Sequence, residues 1–241
     1  MQRMALSMLL VASLVVFASC REPAPSPSGV HGDGTTSQND AATKVAAKTT
    51  AQPRDAAAYH NRGIAYEEKG LHDDAIKCFT KAIELKPDYA MAYYDRGLAY
   101  RRKGQNDEAI KDYTKAIELM PDYAWAYGNR GNAYKDKGLY DDAIRDHNKA
   151  IELKPDDAGA YINRGAAYAE KKQYDAAIKD YTKAIELKPD YSRAYNNRAG
   201  SYFALKNYDK AWDDVKLCRK NNGEPPPDFI KALTEASGRS E

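Results

Sequence analysis

Pro87, Pro121, Pro155 and Pro189 stand 34 residues apart. Three of them follow Ala-Ile-Glu-Leu-Lys, and Pro121 follows Ala-Ile-Glu-Leu-Met. The same interval sets other rows: Tyr59, Tyr93, Tyr127, Tyr161 and Tyr195; Gly63, Gly97, Gly131 and Gly165, with Ala199 in the fifth place. Tyr66, Tyr100, Tyr134, Tyr168 and Tyr202 form a third row, and Ala75, Ala109, Ala143, Ala177 and Ala211 a fourth. The length, 241 residues, would otherwise suggest one or two globular domains. A repeated unit of this size touches only its neighbours, so the core grows along an axis instead of around a centre.

Within one unit the spacing is helical. Tyr59, Gly63 and Tyr66 share one face of a first helix, and Ala75, Phe79, Ala82 and Ile83 share one face of a second. Gly63 and Ala82 are small where the two cross, which lets the backbones approach to about 8–10 Å. Gly70 supplies the left-handed residue that ends the first helix. Asp73, Asp107, Asp141, Asp175 and Asp209 are expected to cap the second helices, and Asp88 the next first helix. Pro87 stops the second helix. After Pro225-Pro226-Pro227, the stretch Asp228 to Ala236 predicts a capping helix with Phe229, Ile230 and Leu233 turned inward.

The period and the pattern Tyr-Asn-Arg-Gly-x-x-Tyr resemble the tetratricopeptide repeat family, from Ala56 to Pro225. Tyr59 stands for the signature Trp and Arg62 for its Leu; in the fifth copy Ala199 replaces Gly, Val215 the aromatic and Cys218 Ala. The resemblance implies an all-α fold, a right-handed α-solenoid of five stacked helix-turn-helix hairpins. The copies are 56–89, 90–123, 124–157, 158–191 and 192–225, followed by a capping helix and tail over 226–241.

The resemblance also places the first helix of each hairpin on a concave face. On that helix Asn61, Asp95, Asn129, Asn163 and Asn197 repeat. A carboxamide carries a donor and an acceptor side by side, so such a row suits the backbone of an extended peptide. It equally suits local bonding to the chain's own backbone. Met91, Tyr94, Leu98 and Trp125 form an apolar group on the second and third copies, with Arg101, Arg102 and Lys135 about one turn further on. Together they predict a partner with one or two apolar anchors and an acidic group; ordinary surface is the alternative. The Arg row, Arg62, Arg96, Arg130, Arg164 and Arg198, faces Asp112, Asp146, Asp180 and Asp214, which predicts ion pairs worth about 0–1 kcal/mol each at a surface. The Lys, Asn and Arg set with which family members clamp chaperone C-termini is not met by His60, Ile64, Tyr94 and Asn132.

The N-terminus reads as an address. Arg3 precedes an uncharged, mostly apolar run of 15 residues, Ala5 to Ser19, shorter than the roughly 20 a spanning helix needs. The ending Phe17-Ala18-Ser19-Cys20 resembles a bacterial lipobox, although Phe17 departs from the usual Leu. That resemblance implies a signal over 1–20, acylation of Cys20 (palmitate among the chains) and export. With Arg21 instead of Asp behind the Cys, it implies the periplasmic face of the outer membrane over the inner. An uncleaved anchor or a plain secreted protein is the alternative. Residues 21–53, rich in Pro, Ser, Gly, Thr and Ala, carry no apolar periodicity and predict a disordered tether spanning about 30 Å.

Net charge is +2, and basic residues alternate with acidic ones, so no nucleic-acid stripe is expected. Cys78 and Cys218 lie in distant copies and read as small buried side chains. His31, His60, His72 and His147 form no metal-ligand spacing, and neither a nucleophile set nor a phosphate loop is present. Acidic pairs such as Asp73-Asp74 read as helix starts. The sequence therefore predicts a membrane-anchored adaptor without cofactor, metal or catalytic role, holding a peptide or helix of another envelope protein. Self-association of the array is the alternative.

Overall fold

The computed structural model describes residues 55–239. The expected signal, Cys20 and the tether lie outside the described residues. Among the described residues there are helices and no strands. Five hairpins follow one another: α1 (Ala56–Glu68) with α2 (His72–Leu85), α3 (Ala90–Arg102) with α4 (Asn106–Leu119), α5 (Ala124–Asp136) with α6 (Tyr140–Leu153), α7 (Ala158–Glu170) with α8 (Tyr174–Leu187), and α9 (Ser192–Ala204) with α10 (Tyr208–Lys220). The terminal helix is α11 (Pro227–Ser237). Each helix packs on its hairpin partner, and each second helix on the first helix of the next hairpin. The result is an all-α solenoid.

Close packing inside each hairpin depends on the glycine row. A Cβ on Gly63 would lie 2.5 Å from the Phe79 ring, and one on Gly97 or Gly165 would lie 2.8 Å from the ring of Tyr113 or Tyr181. Phe79, Tyr113 and Tyr181 are at most 1% exposed, so those rings have nowhere to move. The α11 helix buries Phe229 and Leu233 fully and Ile230 in part, against Trp212 and Val215. It closes the apolar end as expected.

The hairpin turns agree with the sequence in three copies. Gly70, Gly104 and Gly138 have φ of 72°, 75° and 77°. In the fourth and fifth copies Lys172 and Lys206 hold the same conformation at φ 59°. A side chain is strained there, so Lys172→Gly is expected to stabilise the protein by about 1 kcal/mol, read as a higher midpoint of thermal unfolding.

The caps differ from expectation. The left-handed residue brings the N-cap two positions earlier, to Leu71, Gln105, Leu139, Gln173 and Asn207. Asp73, Asp107, Asp141, Asp175 and Asp209 therefore sit inside the first turn, where they face the positive end of the helix. Four also reach towards the following unit: Asp73 to Lys103, Asp107 to Lys137, Asp141 to Lys171 and Asp209 to Arg239. Asp88 is no cap either, because the N-cap of α3 is Tyr89. Side-chain caps are made by Asp55, Asp157 and Asn207.

Candidate protein-binding groove

Successive first helices touch one another, α1 with α3, α3 with α5, α5 with α7 and α7 with α9, and no comparable contact joins successive second helices. The array is tighter on the first-helix side, which makes that side concave. The predicted Asn row and its neighbours lie on these first helices.

The row does not act as one ladder. Two members meet, across the hairpin boundary, the residue one place earlier than the preceding copy's member: Asp95 meets His60 and Asn129 meets Tyr94. His60 Nε2 donates to Asp95 Oδ2 at 2.6 Å, and the Tyr89 hydroxyl donates to His60 Nδ1 at 3.2 Å. Asn129 Nδ2 donates to the Tyr94 hydroxyl at 2.9 Å and to the Trp125 carbonyl at 3.0 Å. In the columns of His60 and Tyr94, the copies before Asn163 and Asn197 carry Gly128 and Ile162, which offer no polar side-chain atom. The two asparagines are half-buried and their amides have no hydrogen-bond partner among the described residues. A Cβ on Gly128 would meet nothing within 4 Å, so space lies open at that position. Asn61 is exposed at the start of the row.

The apolar group divides. Met91 is 46% and Trp125 40% exposed, and the Lys154 ammonium lies 4.6 Å from the centre of the indole ring. Tyr94 and Leu98 instead pack inward on Ala109, Tyr113 and Ala133. The Tyr94 ring lies 4.8 Å from Tyr123 and 5.8 Å from Tyr113, and burial pushes its hydroxyl pKa well above the usual range. Two of the four predicted anchors are thus core residues, and Ile64, 38% exposed, joins the two that are not.

The basic trio also divides. Arg101 pairs with Asp136 at 3.2 Å, and Arg102 pairs with Glu67. Lys135 makes no ion pair among the described residues. Burial pulls its ammonium below the usual lysine range, Asp136 and Glu170 pull it back, and Arg101 and Arg193 add to the fall. Burial pushes the Glu170 carboxyl up, against Lys135 and Tyr140. Reading each column down all five copies would have added Gly128, Asn196 and Arg193 to the groove; the sequence expectation stopped at the residues with conspicuous side chains.

The Arg row is more than surface. Arg96, Arg130, Arg164 and Arg198 each make a two-pronged pair with Asp112, Asp146, Asp180 and Asp214, at 2.6–2.9 Å. The aspartate side chains are only 3–8% exposed. Burial pushes the Asp112 and Asp214 carboxyls up, and the facing guanidinium opposes it. Water does not screen these pairs, so the small value expected for exposed ions does not apply.

Cys78 and Cys218 are buried and unbridged, 8% and 2% exposed. Among the described residues no group of His, Cys, Asp and Glu could hold a metal ion, and no helix is long and apolar enough to cross a membrane.

Family models described as TPR repeat and tetratricopeptide repeat match at 97–138 and 131–172, at 56–89 and 158–191, and at 78–111 and 180–213. No curated protein matches the chain. Among solved structures, a crystal structure of MamA is 28% identical, with a TM-score of 0.62, and the match covers 66% of this chain and 94% of that one. The pilF protein of Pseudomonas aeruginosa is 19% identical over 76% of this chain and 84% of its own, with a TM-score of 0.67. YrrB, described as a TPR protein with an unusual peptide-binding site, is 22% identical over 83% of this chain and 98% of its own, with a TM-score of 0.61. The repeats, the hairpin stack and these matches agree: the chain belongs to the tetratricopeptide repeat family.

Proposed function

We propose that this protein is an envelope adaptor that holds a segment of another exported protein along its first helices. The observation that carries the reading is the pair Asn163 and Asn197, half-buried amides with no hydrogen-bond partner among the described residues. A half-buried amide without a partner favours whatever ligand supplies one. Exposed Met91 and Trp125 offer apolar contact on the second and third hairpins, and Lys135 offers a partly desolvated cation to an acidic group. YrrB, which shares the fold and is described as having a peptide-binding site, supports this reading. The regular spacing of the charged rows supports a scaffold and gives no support to catalysis.

In this reading Cys20 carries the acyl anchor after cleavage before it removes residues 1–19, and residues 21–53 tether the array to the membrane. Each buried methylene contributes about 0.8 kcal/mol, and more than one chain gives stable attachment. Mass spectrometry of the mature protein tests this: a free Cys20 on an uncut chain would overturn it.

The groove is tested by affinity capture from envelope extracts with the full-length protein, followed by titration of the captured partner. Asn163→Ala with Asn197→Ala is expected to weaken binding about thirtyfold, since two hydrogen bonds contribute about 1 kcal/mol each. Asn129→Ala is expected to change it less, because Tyr94 already occupies that amide. Equal affinity for the double variant and the unaltered protein would remove the groove from the account.

A further inference from the structure

The first hairpin presents a face that every later hairpin has covered. In the interior copies each arginine of the row reaches two helices. Besides its own aspartate, Arg96 donates to Thr80 at 3.0 Å, Arg130 to Thr114 at 2.9 Å, Arg164 to Asn148 at 2.7 Å and Arg198 to Thr182 at 2.9 Å. All four acceptors lie on the second helix of the preceding hairpin. Beneath those helices Ala92, Ala126, Ala160 and Ala194 are 0–5% exposed, and Ala99, Ala133 and Ala167 are fully buried.

On α1 the same columns hold Arg62, Ala58 and Ala65. No hairpin precedes them among the described residues, and both alanines are half-covered. Cys78 stands where the later copies have aspartate, so the hairpin supplies no carboxylate. Arg62 Nη2 donates to the Tyr66 hydroxyl at 3.1 Å, and its buried Nε has no acceptor. A guanidinium that elsewhere meets one carboxylate and one hydroxyl or amide here meets a single phenol.

We propose that this face of α1 docks an amphipathic helix of another protein that brings a carboxylate to Arg62. The fold shows four times that a helix covers such a face with an acceptor on the arginine. The missing aspartate sets the charge of the newcomer. The site is separate from the groove and does not depend on it.

Two other occupants fit poorly. In a second copy stacked head to tail, Lys216 occupies the column of Thr80, Thr114, Asn148 and Thr182, and α11 already covers that end. Two copies meeting through α1 would bring Arg62 against Arg62. The chain's own preceding residues offer, in the 34-residue register, Ala46 for the acceptor, Lys44 for Cys78 and Lys48 for the buried Ala82. Positive charge there opposes Arg62.

The test uses the full-length protein and a stapled synthetic helix with the α4 sequence, Asn106–Leu119, carrying Thr114→Glu so that a carboxylate meets Arg62. The helix is expected to bind. Arg62→Glu is expected to weaken it at least about tenfold, and a helix with Thr114→Lys is expected to recover binding to that variant. The charge swap separates docking from a folding defect, which circular dichroism of the variant also checks. No binding up to about 1 mM would overturn the proposal, as would binding indifferent to Arg62→Glu. A dimer that Arg62→Glu dissolves would assign the face to a second copy. Binding that appears only after deletion of residues 22–52 would assign it to the chain itself. Either result overturns the proposal.

Discussion

Arg130→Met is expected to lower the stability of the array by about 3–5 kcal/mol, the range for removing one partner of a buried ion pair. The substitution leaves Asp146, 5% exposed, without the guanidinium that meets both its oxygens at 2.7 and 2.9 Å. Thr114 on α4 loses its donor at the same time, so the second and third hairpins are also unstitched. Stability in a solenoid is nearly a sum of neighbour terms, so a break at the middle is expected to separate unfolding of the two halves. Urea unfolding followed by circular dichroism reads both the loss and the second transition. The double variant Arg130→Met with Asp146→Leu is expected to recover more than half of the loss, because no charge is then stranded. A loss for the single variant below about 1 kcal/mol would place the pair among screened surface ions.

His147→Phe is expected to have the opposite effect. His147 fills the column that holds Phe79, Tyr113 and Tyr181 in other copies, and it is fully buried against Gly131. Neither ring nitrogen has a hydrogen-bond partner. Two such atoms cost about 1–3 kcal/mol each relative to an apolar ring of similar shape, so the variant is expected to gain at least about 1–3 kcal/mol at neutral pH.

The pH dependence supplies a sharper reading. Burial, with Lys135 and Arg164 nearby, holds the His147 pKa down at about 3 instead of 6.5. Above 6.5 neither the folded nor the unfolded chain binds this proton. Between 6.5 and 3 the unfolded chain binds it and the folded one does not, so stability falls as acid is added. At pH 5 the loss is about 2 kcal/mol, from about 1.4 kcal/mol for each unit below 6.5. The Phe variant lacks this limb. Parallel curves of unfolding midpoint against pH for the two proteins would show that His147 is not the group responsible.

The sequence was most legible where geometry repeats. Gly70 announced a left-handed turn and Gly63 a close crossing, because glycine meets each condition without strain or clash. Phe229 and Leu233 announced the lid through their spacing alone. Legibility failed where the decisive atom belongs to another copy. Asp73 carries every mark of a cap, yet the backbone at Gly70 starts the helix before it, with the N-cap at Leu71. Asn129 and Asn163 are the same residue in the same column. One is bonded and the other is not, because Tyr94 stands before the first and Gly128 before the second.

The 34-residue period by itself determined that the chain is a stack of helical hairpins. Backbone preference and apolar spacing act within one unit, and each unit is written out in full in the sequence. Only the tertiary structure decided which polar groups remain available. That depends on contacts across hairpin boundaries, where a side chain 34 or 35 residues away either satisfies an amide or leaves it open. The same contacts turned the arginine row from expected surface ions into buried clamps, and left Arg62 as the one member of that row, among the described residues, without its aspartate.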